Sequence, residues 1–115
     1  MSTLTYNIVR RLLSENEKKT LFDSSLTPAA VMLLLYQKDS DFHILFTKRS
    51  NLVEEHKNEI SLPGGQMESS DSTMIDTALR ETQEEVGISP QDVEVLGELD
   101  DVSTKSDFLV KTFVG

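Results

Sequence analysis

No cysteine occurs among the 115 residues. That absence removes disulfides, thiolate nucleophiles and Cys-ligated zinc together. Histidine is scarce as well, and His43 and His56 are too few for a His-rich metal cage. Positive charge is also short. Lys and Arg number 11 against 20 Asp and Glu, a formal net charge of −9. A chain this acidic is a poor candidate for gripping nucleic acid through basic side chains. It can still handle phosphates if a divalent cation bridges them to carboxylates. No apolar run approaches the length that spans a bilayer, and the longest, Ala29 to Tyr36, has the length of a buried strand. The N-terminus lacks the basic and apolar regions of a signal peptide, and the C-terminus carries no lipidation or retention tag. The expectation is a cytoplasmic chain with no membrane or nucleic-acid partner. Its chemistry must run on carboxylates, hydroxyls, amides or a borrowed ion.

The length fits a single domain, and 37% hydrophobic with 27% charged residues is ordinary for a globular one. Asn7 to Lys19 is helically patterned, with Ile8, Val9, Leu12 and Leu13 on one face. Asp23 to Ser25 and Pro28 break the chain. Ala29 to Tyr36 is continuously apolar and suits a central strand buried on both faces, although periodicity alone also admits a short helix. Phe42 to Thr47 reads as a second strand, hairpin-linked to the first, with His43 as a sheet residue rather than a ligand. A longer helix follows. Ser70, Asp71 and Ser72 offer N-caps, and Gly87 offers a left-handed stop. Ile75, Ala78, Leu79, Thr82 and Val86 fall on one stripe of it. Val93 to Leu96 alternates like a strand continued by Gly97 to Asp101, and Phe108 to Val114 begins one more.

On the longer helix, Glu81, Glu84 and Glu85 stand at i, i+3 and i+4, on neighbouring sites of one surface. Like charges at that spacing repel by about 0.2–0.5 kcal/mol per pair. They also lie in the last turns, where the helix dipole disfavours anions. A solvated acidic face is one reading. The other is an oxygen-ligand set for Mg²⁺ or Mn²⁺, hard ions that share their coordination with substrate phosphates. Pro63, Gly64 and Gly65 lie upstream, and the glycines free the backbone to bring a carbonyl or amide close to a ligand. Taken alone, they are equally an ordinary tight turn.

Together these residues resemble a known motif. Gly65, five residues, Asp71, eight residues, then Arg80-Glu81-x-x-Glu84-Glu85-x-Gly87-Ile88 is similar to the box of the Nudix hydrolases. Six identities at fixed offsets have a chance frequency on the order of one in ten million per start position, given average residue usage. Asp71 stands where that family usually has Glu, and the stretch before Arg80 is one residue longer. The longer spacing resembles the coenzyme A diphosphatase branch, as does Leu45 to Ser50 followed by His56 to Gly65. Glu54, Asn58 and Leu62 depart from that branch, which prefers Arg, Gly and Phe there.

The resemblance implies an α/β chain with the Nudix fold, an α/β/α sandwich around a mixed β-sheet. Residues 1–25 would be an N-terminal helical extension and residues 26–115 the Nudix domain. That fold should continue past Gly115 with further strands and a second major helix, so the expectation is a piece of a longer protein or a shortened variant. The implied activity is hydrolysis of a nucleoside diphosphate derivative with Mg²⁺ or Mn²⁺. The implied substrate is a coenzyme A-like nucleotide; ADP-ribose, a dinucleoside polyphosphate or a non-catalytic binding module are the alternatives. A homodimer is left open. By the same resemblance Glu81 and Glu85 would ligate the metal directly. Glu84 would hold a second ion or orient the attacking water, Gly65 would offer its carbonyl, and Arg80 would hold a box carboxylate in place. Gly64 and Arg49 would contact the substrate, with Arg49 on a phosphate or, equally, a solubilising charge at a strand end. For His56 a loop hydrogen bond is the reading.

Overall fold

The computed structural model describes residues 3–48 and 59–115. At its centre lies β1 (Thr27–Leu33). It runs parallel to β9 (Phe108–Val114) on one side and antiparallel to β6 (Gly64–Gln66) on the other. Beyond β9 lie β7 (Gly97–Glu98) and β8 (Val102–Ser103), both antiparallel to it. The sheet order is therefore β6-β1-β9-β7, with β8 also on β9, and β6 is an edge strand. Two small antiparallel pairs stand apart: β2 (Leu35–Lys38) with β3 (Asp41–Ile44), and β4 (Thr47–Lys48) with β5 (Ile60–Ser61). No helix among the described residues is long and apolar enough to cross a membrane.

Side chains alternate across a strand, so the sheet has two distinct faces. Ala30, Met32 and Phe113 point to one, where they form the core with Leu34 and with Ala78 of α2 (Met74–Val86). The other face carries Val31, Val110 and Val114. Over its far end lies α1 (Thr3–Glu15), whose Leu13 fills the space where Gly97 has no side chain.

Several expectations are corrected in detail. The first helix spans Thr3–Glu15, not Asn7 to Lys19. By Lys19 the backbone is captured from far along the chain: the Lys19 N–H donates to Asp100 Oδ1, the Leu21 N–H to Asp101 Oδ2, and the Asp101 N–H to the Lys19 carbonyl. The run Ala29 to Tyr36 is broken at Leu34 into β1 and β2. The second strand ends at Ile44, and its hairpin turns on Asp39 and Ser40, both at positive φ. His43 stacks on Tyr36 with ring centroids 5.3 Å apart. Val93 to Leu96 forms no strand. Its backbone bond to the sheet is the Leu96 N–H to the Val114 carbonyl, while Val93 and Val95 pack against the core.

On α2 the cap is Thr73, whose hydroxyl accepts from the Asp76 N–H, rather than any of residues 70–72. Gly87 does close the helix in the left-handed conformation, at φ 75°. Ile75 turns outward, and the buried positions are Thr77, Ala78 and Thr82. The two threonines tolerate burial because their hydroxyls are satisfied, Thr82 by the Ala78 carbonyl and Thr77 by Asp71.

Candidate active site

Asp71 is released from capping because it has stronger partners. It is buried between the loop after β6 and the flank of α2. Its Oδ1 accepts from Arg80 Nε at 2.9 Å, and its Oδ2 accepts from Arg80 Nη2 at 3.0 Å. The Thr77 hydroxyl and the Glu68 N–H add two further bonds to Oδ2, each at 2.9 Å. This is a fork-to-fork pair in which Oδ2 takes three bonds and Oδ1 one. The Arg80 bonds foremost hold Asp71 well below the usual carboxylate range, and Asp71 in turn raises the guanidinium above its ordinary value.

Arg80 has donors to spare. Its Nη2 also donates to the Gln66 carbonyl at 3.2 Å, which ties the end of β6 to the helix. Its Nη1 reaches Glu81 Oε1 at 2.9 Å and both oxygens of Glu84 at 3.3 Å, with Glu68 at 3.5 Å. One guanidinium nitrogen therefore gathers two of the three glutamates singled out from the sequence. Glu81 is the inner of them, with 16% of its side chain exposed against 57% for Glu84. Glu85 follows one turn after Glu81 and is exposed.

Gly65 faces the same spot. A Cβ there would lie 2.7–3.0 Å from the carboxylate atoms of Glu81, so a larger residue would push that carboxylate aside. Gly64 serves the sheet instead, because a Cβ on it would strike the Ala30 carbonyl and Val31. Arg80, Glu81, Glu84 and Gly65 are thus brought together. Among the described residues no three acidic or histidine side chains close into a ready cation cage. What is present is an all-oxygen donor set already holding a cation, the Arg80 guanidinium. That donor chemistry fits a hard divalent ion.

Arg49 and His56 lie outside the described residues. The pairing of Arg80 with a carboxylate is as the motif implies. The parts that reading the sequence missed are the Thr77 hydroxyl, Glu68 and the Gln66 carbonyl. Thr77 sits one helical turn before Arg80, and only that spacing could have flagged it.

Residues 26–112 match the family model of the NUDIX domain. The uncharacterized Nudix hydrolase NudL of Klebsiella aerogenes is 46% identical over 72 residues, covering 63% of this chain and 60% of that protein. Its namesake from Klebsiella pneumoniae subsp. pneumoniae is 44% identical over 72 residues, covering 63% of this chain and 38% of that protein. The chain thus spans about 60% of one relative and less than half of the other. Among solved structures, the NUDIX domain of Shewanella oneidensis NrtR, in a complex with ADP ribose, superposes with a TM-score of 0.62 at 20% identity. That match covers 100% of this chain and 70% of the other and speaks for the fold. A box of acidic residues organised by one arginine and a matching domain model lead to the same conclusion: the chain belongs to the Nudix family.

Proposed function

We propose that this chain hydrolyses the diphosphate bond of a nucleoside diphosphate derivative with Mg²⁺ or Mn²⁺, and that the substrate is coenzyme A or a derivative of it. Water would add across the P–O–P linkage, so that coenzyme A gives 3′,5′-ADP and 4′-phosphopantetheine. The observation that carries the reading is the convergence of Glu81 and Glu84 on one cation, with Gly65 directly against the Glu81 carboxylate. The longer spacing before Arg80 and the segment ending in Leu62-Pro63-Gly64-Gly65 support the coenzyme A assignment.

Glu81 and Glu85 would hold the ion, with the Gly65 carbonyl as a further ligand. Bound there, a divalent ion neutralises the diphosphate charge and lowers the pKa of a water. Glu84, the more exposed neighbour, accepts a proton from the attacking water or helps hold a second ion. Arg80 keeps Glu81 and Glu84 at a fixed spacing through its bond to Asp71 and touches no substrate. Arg49 contacts a substrate phosphate, and Gly64 approaches the substrate through its backbone. ADP-ribose is the second reading, favoured by the ligand of the structurally similar NrtR domain.

Replacing Glu85 with Gln tests the assignment. The variant should keep its circular dichroism and melting temperature while metal-dependent hydrolysis falls on the order of a thousandfold. Hydrolysis that survives the change would remove Glu85 from the ligand set.

A further inference from the structure

We infer that Thr77 is a positioning residue of the active site: its hydroxyl orients the Asp71 carboxylate and, through Arg80, sets the spacing of Glu81 and Glu84. The effect on turnover rests on the hydrolase reading above, whereas the effect on Arg80 stands without it.

Two threonines of α2 are fully buried, Thr77 and Thr82. Valine has nearly the same shape without the hydroxyl, and burying a hydroxyl costs free energy unless it is bonded. Thr82 turns its hydroxyl onto its own helix, donating to the Ala78 carbonyl four residues back at 2.7 Å. The equivalent acceptor for Thr77, the Thr73 carbonyl, lies at 3.4 Å. Asp71 Oδ2 is closer, at 2.9 Å. A hydroxyl has one proton, and the shorter bond takes it. Thr77 therefore serves a carboxylate outside its helix, on the loop that precedes α2.

That carboxylate needs fixing. The terminal torsion of an aspartate is broad, so the plane of the group is set by its partners. Arg80 takes both oxygens, Nε on Oδ1 and Nη2 on Oδ2, but a fork can swing together with the group it holds. The Thr77 hydroxyl and the Glu68 N–H both bond Oδ2 at 2.9 Å and fix where it points. Asp71 is also one methylene shorter than the Glu usual in the motif and one residue farther from Arg80 in sequence. Its carboxylate thus stays close to its own loop, where both donors reach it. The consequence runs along one face of α2, on which Thr77, Arg80, Glu81 and Glu84 stand at i, i+3, i+4 and i+7. Thr77 is the buried end of this row and Glu84 the exposed end. From core to surface, Thr77 holds Asp71, Asp71 holds Arg80, and Arg80 Nη1 holds Glu81 at 2.9 Å and Glu84 at 3.3 Å. A tilt of the guanidinium would shift both glutamates together.

The test compares Thr77→Val and Thr77→Ala with Thr77→Ser and Thr82→Val in the whole chain. The first two both remove the hydroxyl, and one folded variant of the pair suffices. Without metal, the NMR signal of the Arg80 Nε–H should shift or broaden in them and stay near its wild-type position in Thr77→Ser and Thr82→Val. In turnover of coenzyme A or ADP-ribose at saturating Mg²⁺, loss of the hydroxyl should lower kcat about tenfold and leave KM within about twofold. Thr77→Ser should restore kcat, and Thr82→Val should lower the melting temperature while keeping kcat. In an Arg80→Lys background, Thr77→Val should cost no further activity, because the link it acts through is already cut. An unmoved Arg80 signal, an equal loss of kcat in Thr82→Val, no rescue by serine, or a loss that adds to that of Arg80→Lys would each overturn the assignment. Hydrolysis that continues in Thr77→Val with an unmoved Arg80 signal would remove Thr77 and leave the hydrolase reading standing. A wild-type chain that cleaves neither substrate, with the Arg80 signal responding as stated, would remove the hydrolase reading and keep Thr77 as the residue that orients Arg80.

Discussion

Asp71 and Asp101 are both buried carboxylates paired with cations, and they differ in what the cation does next. Asp71 binds an arginine, and the fork has donors left over that reach Glu81, Glu84 and the end of β6. Asp101 binds two lysines, Lys111 at 3.0 Å and Lys18 at 3.1 Å, along with the Leu21 N–H. Those point charges pass nothing on to the acidic cluster on α2. They fasten the segment after α1 to β9, with Lys18 also paired to Glu98. The planar guanidinium couples a buried anchor to an exposed site, whereas the ammonium groups close a clamp. An arginine at a buried aspartate beside further acids thus reads as a device for geometry, and lysines at a buried aspartate read as a device for fastening.

The comparison breaks most sharply at Arg80. Arg80→Lys keeps the charge but loses the fork, so kcat should drop on the order of 100-fold through misplacement of Glu81 and Glu84. Unchanged steady-state kinetics in that variant would mean the fork is only structural. Asp101→Asn should do the opposite, lowering the melting temperature by about 10 °C, or about 2 kcal/mol, with kcat/KM within twofold. Calorimetry and kinetics on the same preparation check both halves.

Acid sharpens the contrast. Both carboxyls titrate below their ordinary value. For Asp71 the Arg80 bonds lead. For Asp101 burial alone would push the value up, but the bonds from Lys111, the Leu21 N–H and Lys18 outweigh it. Each group therefore adds stability that is present above the unfolded pKa of about 3.9 and is lost as pH falls through the lower folded value. Thermal stability should decline below about pH 4, and Asp101→Asn should flatten that decline. An equally steep acid limb in the variant would locate the dependence elsewhere. The smallest expected effect is at Thr73, which lies between the two members of the Asp71–Arg80 pair in sequence and takes no part in it. Thr73→Ala should cost about 1 kcal/mol of helix capping, read by denaturant melting, with hydrolysis unaltered.

What could be read in the sequence follows from range. The three glutamates, the stop at Gly87 and the central strand are local patterns, and they stand where spacing puts them. The end of α1 could not be read, because the Lys19 and Leu21 N–H groups are captured by Asp100 and Asp101 some 80 positions away. The cap was misplaced for a related reason: Asp71 has cap chemistry but is bound to Arg80, nine residues on. Val93 and Val95 alternate because they face the core, without forming a ladder. For the candidate site, the glutamates, Gly65 and Arg80 were visible from the motif. The Thr77 hydroxyl was not, since a threonine on a helix's buried side reads as packing.

The most direct test of the central claim is to incubate the purified chain with coenzyme A, ADP-ribose and a dinucleoside tetraphosphate. Mg²⁺ and then Mn²⁺ would be supplied, with a chelator control, and the products identified by mass. The account predicts metal-dependent release of 3′,5′-ADP from coenzyme A. Cleavage of another of these substrates would keep the carboxylate mechanism and discard the coenzyme A assignment. A folded chain that cleaves none of them with either ion would contradict the account.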